Sequence, residues 1–185
     1  MQTNRYGFLR RILHWVVALS TLGLLAVGML FFFLGVDGTQ KWFGEDTTGM
    51  LLKYHKSFGL VVLIGAILIL RMRRRDGVPP YDPQQPLLVR FLGKIVHWLT
   101  LVALIVMPIL GVLATSFAGK PVQFFNWNLP GTSLLGTHEP WATTLFQYHS
   151  QIGLLVLALV LLHLAGVYVH GRVANDNVNS RMSLL

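Results

Sequence analysis

Histidine is the residue of chemical interest in this chain, because of where it recurs. The run Arg11-Ile12-Leu13-His14-Trp15 is echoed by Lys94-Ile95-Val96-His97-Trp98. A second run, Tyr54-His55-Lys56-Ser57-Phe58-Gly59-Leu60, is echoed by Tyr148-His149-Ser150-Gln151-Ile152-Gly153-Leu154. Each echo sets an imidazole near the end of a long apolar stretch. At membrane depth such a group is costly unless it is ligated or hydrogen-bonded. Four positions in two matched pairs point to metal ligation, and in lipid the usual metal carrier is haem.

A further histidine sharpens the pattern. His149 and His163 stand fourteen residues apart, so on one helix they head within roughly 40° of each other and are separated by about 21 Å of rise. That spacing gives two sites stacked across a bilayer. His55 lies at the depth of His149, and His14 at about the depth of His163. Two axial imidazoles close an iron's coordination, which suits electron transfer rather than oxygen binding. Gly59 and Gly153 follow the outer histidines on the same helical faces, where a missing side chain lets a flat macrocycle approach. The inner partner is open between His163 and His97, the echo of His14. His170 lies near the face of His163 at the inner boundary, where it could meet a quinone headgroup. His138 reads as a solvated loop residue. The competing use of any one of these histidines is a hydrogen bond between helices.

The elements that must hold these residues are membrane helices. Of the 185 residues, 54% are hydrophobic and only 12% charged, too apolar for a soluble domain of this length. Stretches of the roughly 20 residues needed to span hydrocarbon place helices at about 10–34, 49–71, 87–116 and 142–170. They fill nearly the whole chain, so an all-α, four-helix transmembrane bundle enclosing two b haems is expected as a single domain over 1–185. Pro108 should kink the third helix. The Pro-rich stretch after Arg75 cannot continue the second, and the polar tail after Arg172 is expected to be poorly ordered.

Charge fixes an orientation. The net charge is +8, but Arg5, Arg10, Arg11, Arg71, Arg73, Arg74, Arg75, Arg90, Lys94, Arg172 and Arg181 all fall on one side if the spans alternate. Lys41, Lys53, Lys56 and Lys120 fall on the other. The positive-inside rule then puts both termini in the cytoplasm, and anionic lipid explains the basic loop better than nucleic acid does. The chain has no cysteine, which excludes disulfides, thiolate clusters and covalent haem attachment. Any haem must be held non-covalently.

Several of these segments together resemble the bacterial cytochrome b561 family: residues 10–18, Tyr54 to Gly59, Val78-Pro79-Pro80, His97 followed by Met107-Pro108-Ile109-Leu110-Gly111, and the paired histidines of the last helix. The resemblance covers nearly all the chain. It implies a four-helix, dihaem cytochrome of the bacterial inner membrane, with His55 and His149 on the outer haem and His14 and His163 on the inner. His97 is then a non-ligand. One branch of that family oxidises superoxide at the periplasmic face and passes the electron to ubiquinone.

The expected function is therefore electron transfer between a periplasmic donor, superoxide foremost, and membrane ubiquinone, in a superoxide:ubiquinone type of oxidoreductase. The alternative is a haem-b anchor or relay subunit for a dehydrogenase or periplasmic cytochrome. A non-redox transporter with structural histidines is a third reading. Superoxide is an anion and needs a local positive funnel. Lys120, in the second outer loop, is the residue expected to act on the substrate there. Asp37, Glu45, Asp46 and Glu139 cancel the outer lysines' formal charge, so position matters more than sum.

Overall fold

Each apolar stretch forms one long helix, and the first two helices stop at glycines, Gly44 and Gly77, that take the chain out of the helical region. In a computed structural model, which describes residues 5–79, 86–130, 136–172, 176 and 178–184, α1 spans Phe8–Phe43, α2 Glu45–Asp76, α3 Leu87–Phe117 and α4 Glu139–Arg172. All four are long and apolar enough to cross a membrane. Between α3 and α4, β1 (Gln123–Phe124) and β2 (Trp127–Asn128) pair antiparallel as a small hairpin. A 3₁₀ turn, Asn179–Met182, comes after α4.

Helix ends differ from the sequence expectation at the outer side. Where a loop of glycines is expected, α1 runs on to Phe43, broken only at Gly35 (φ 66°, ψ 177°). Beyond that break Thr39 donates to the Gly35 carbonyl at 2.7 Å and restores helical bonding. Gly44, at φ 82°, then makes the turn into α2 by itself. Positive φ of this kind is natural only to glycine. At the inner end α2 carries the arginine cluster and stops at Gly77 (φ 71°). Part of the proline-rich stretch expected after it, 80–85, lies outside the described residues.

α1 packs chiefly on α2, and α3 on α4, so the chain is two hairpins joined mainly through α2 and α3. Gly65 and Ala66 let α2 press against Val17 of α1, where a Cβ on Gly65 would collide with the valine. Small residues at such contacts are how membrane helices approach closely. Val17, Leu25, Val62, Leu101, Leu104 and Val156 close the middle of the bundle. Large apolar side chains such as Leu19, Leu161 and Leu162 point outward, a surface that lipid rather than water must cover.

Residues 178–184 of the tail are docked rather than loose. Arg11 donates to the Ser183 carbonyl at 2.6 Å and the Trp15 indole to the Met182 carbonyl at 2.9 Å. Asn179 donates to the Val167 carbonyl at 2.8 Å. Tail side chains and carbonyls thus satisfy groups at the start of α1 and the end of α4, which is why a polar segment is held there.

Candidate functional site

The helices bring five histidines into two layers. In the outer layer His55 of α2 faces His149 of α4, with ring centroids 6.1 Å apart. In the inner layer His14 of α1 faces His163 of α4 at 6.3 Å. Two imidazoles bound on opposite sides of one metal, each nitrogen about 2 Å from it, have centroids roughly 6 Å apart. Both pairs match that span. His97 of α3 also reaches the inner layer, but its ring lies 5.2 Å from that of His163, which is short for the same arrangement.

Hydrogen bonding and backbone shape agree with ligand roles in the outer layer. His149 Nδ1 is bonded to the Met107 carbonyl at 2.9 Å, which fixes the tautomer and leaves Nε2 as the donor to a metal. His55 Nδ1 is buried with no hydrogen-bond partner among the described residues, a costly state for an imidazole that nothing ligates. A Cβ on Gly111 would stand 3.1 Å from the His149 ring, and one on Gly28 would stand 3.6 Å from His55 Cε1. Gly111, on α3, is what leaves room for the His149 ring, while a side chain at Gly28, on α1, would stand in ordinary contact with His55. Gly153 lines the outer cavity as well. Gly59 does not, and a Cβ there would meet nothing within 4 Å.

The cavities differ in size. The outer one is about 50 Å³, walled in part by Met29, Met107 and Phe32. Methionine side chains are unbranched and repack readily. The inner one is about 1040 Å³ and is lined by His14, His97 and His163 with Trp15, Thr100 and Leu104. Arg10, Arg73, Arg90, Lys94 and Arg181 also line it. An apolar cavity with histidines of three helices at its wall and cations beside them fits a tetrapyrrole that carries carboxylates.

The remaining candidates fall at the two ends. His170 Nδ1 is bonded to Asp176 Oδ2 at 2.6 Å, and His170 is not among the residues lining the inner cavity. His138 is not simply solvated: its Nδ1 accepts the Trp141 N–H at 3.3 Å, capping the start of α4. Lys120 is exposed in the outer loop and interacts electrostatically with Lys56. Lys53 donates to Asn126 Oδ1 at 2.7 Å, and Lys56 to the Pro121 carbonyl at 3.4 Å. Three lysines are thereby gathered around the hairpin that lies on the helix of His55.

Ser57 secures that hairpin. Fully buried, it donates to the Lys53 carbonyl at 2.8 Å and accepts the Phe125 N–H at 2.7 Å. The bond holds Phe125 at φ 52°, a backbone conformation costing about 1–2 kcal/mol for a non-glycine residue. Ring contacts of Phe125 with Tyr54, Phe58 and Phe124 add to the hold.

Comparison with known proteins places these features in a family. A family model described as prokaryotic cytochrome b561 matches residues 5–183. Cytochrome b561 homolog 2 of Escherichia coli (strain K12) is 25% identical over 182 residues, covering 97% of this chain and 91% of that protein. Cytochrome b561 homolog 1 of the same organism is 23% identical over 190 residues, covering 97% of each.

Proposed function

This chain belongs to the prokaryotic cytochrome b561 family of transmembrane b-type electron-transfer cytochromes, and on that premise we propose that it carries electrons between superoxide at its outer face and ubiquinone in the inner membrane. In this reading two b haems are held without covalent links, one by His55 and His149 and one by His14 and His163. The observation that carries it is the pair of histidine layers, with centroids 6.1 and 6.3 Å apart, built by α4 with two different helices. A haem with two imidazole ligands supplies one-electron transfer with no open coordination position.

The chain's own residues supply the rest. Met107 and Gly111 set the His149 imidazole, and the core between Leu25 and Val156 keeps water from the space between the layers. Lys53, Lys56 and Lys120 give the outer hairpin a local positive field that attracts a small anion, although Asp37, Glu45, Asp46 and Glu139 offset it over the whole face. At the inner end His170, its ring oriented by the bond from Nδ1 to Asp176, presents Nε2 to a quinone headgroup. Both termini lie on the cytoplasmic side, as the arginines at that end require.

Stopped-flow kinetics test the two ends separately. Lys120→Glu is expected to slow haem reduction by superoxide several-fold without changing haem content. His170→Ala is expected to leave reduction fast and to slow reoxidation by a short-chain ubiquinone. If superoxide reduces the haems no faster than a protein-free control predicts, the superoxide reading fails. A relay subunit serving a dehydrogenase or periplasmic cytochrome then takes its place.

A further inference from the structure

α1 and α4 carry His14 and His163, yet these two helices touch each other little, because each packs mainly within its own hairpin. The tail bridges them at the inner end. On the α1 side the Trp15 indole donates to the Met182 carbonyl at 2.9 Å and Arg11 to the Ser183 carbonyl at 2.6 Å. The Tyr6 N–H, just ahead of α1, donates to the Arg181 carbonyl at 3.2 Å. On the α4 side Asn179 Nδ2 donates to the Val167 carbonyl at 2.8 Å. One 3₁₀ turn is thus bonded to the residue after His14 and to the residue one helical turn beyond His163.

The fit on α4 depends on a missing side chain. A Cβ at Gly171 would stand 2.5 Å from Asn179 Nδ2, nearer than real Cβ atoms come, so the amide reaches Val167 only because position 171 is glycine. The same turn also walls the inner cavity, where Val178, Asn179, Met182 and Ser183 stand with Trp15 and Val167. Two imidazoles can share one metal only at a fixed span, here 6.3 Å between the His14 and His163 rings. Ligands on two weakly packed helices keep such a span only where other groups set the separation of the helices.

We propose that residues 178–183 clamp α1 to α4 across the inner cavity, with Asn179 as the positioning residue, and that the clamp holds His14 and His163 at ligating distance and retains the inner cofactor. The proposal rests on the reading that His14 and His163 hold a haem. Asn179 acts through α4 and not on the iron. Undocking the turn frees α1 to move from α4 and opens the wall between them, so the inner haem escapes faster while the outer one, held by α2 and α4, does not.

The test compares purified full-length wild type, Asn179→Ala and Gly171→Ala. Haem release is timed by transfer to excess apomyoglobin, and electron paramagnetic resonance of the oxidised proteins reports the angle between the two imidazole planes of each low-spin haem. Asn179→Ala should release the inner haem about fivefold faster, the factor carried by one hydrogen bond, and should move its g values. Release and g values of the outer haem should stay as in wild type. Gly171→Ala is the sharper variant. Alanine is the better helix former, so a merely structural role predicts release no faster than wild type, whereas the clamp predicts the acceleration seen in Asn179→Ala. Gly171→Ala releasing haem no faster than wild type overturns the proposal, and so does equal acceleration at both haems, the mark of a loosened bundle. A protein in which His163→Ala removes no haem overturns the underlying haem reading instead, and this proposal with it.

Discussion

His97 and His163 show what a single imidazole can and cannot do here. Both reach the inner layer, yet only His163 has a partner at metal-spanning separation, 6.3 Å to His14 against 5.2 Å to His97. His163→Ala should therefore lose one of two haems, whereas His97→Ala should keep both, read by pyridine haemochrome content. The reverse result would favour a strictly symmetric repeat. Gly111→Val forces a side chain into the His149 ring, so it should depress outer haem occupancy about 10–100-fold, the range seen when the groups positioning a metal ligand are disturbed. Gly59→Ala, with open space at its Cβ, should leave haem content unchanged. The histidines were legible in the sequence because few other residues at membrane depth carry such chemistry. Gly28 and Gly111 were not, because their role arises between helices: each faces an imidazole carried by a different element. Helix periodicity singles out only Gly59 and Gly153, on the histidines' own helices, and of these only Gly153 lines a cavity.

The elements were legible in number and content but not at their ends. Apolar length alone identifies four spans, since a bilayer sets the minimum. The extension of α1 past Gly35 was not predictable in that way, because a glycine break with a threonine that re-caps the chain reads as a loop. The docked tail was missed for a similar reason. Its composition is polar, and its anchors are backbone carbonyls of Met182 and Ser183 that no residue type reveals. The outer hairpin depends likewise on one hydroxyl. Ser57→Ala leaves the Phe125 N–H without its acceptor, which should destabilise the hairpin by about 1–3 kcal/mol. Hydrogen exchange should report it as loss of protection at the Phe125 amide, with the four helices unaffected. Unchanged protection would mean that the ring contacts alone hold the loop.

The whole molecule is a lipid-coated bundle whose charges lie at its ends, and that distribution governs orientation and encounter. A fluorescent protein fused after Leu185 should fold and fluoresce, as a cytoplasmic C-terminus requires. A periplasmic phosphatase reporter at the same position should be inactive, and the opposite pair of results would invert the topology. Steering of superoxide toward Lys53, Lys56 and Lys120 should weaken as salt shortens the Debye length, from about 10 Å at 0.1 M to about 3 Å at 1 M. Haem reduction in the wild type should slow over that range, and in Lys120→Glu it should change less. If the two histidine layers hold two six-coordinate haems, haem content and spin state are both fixed. Pyridine haemochrome quantification against protein, with the low-temperature spin state recorded on the same sample, should return about two low-spin b haems per polypeptide. A stoichiometry near one, or a high-spin haem with an open position, would contradict it.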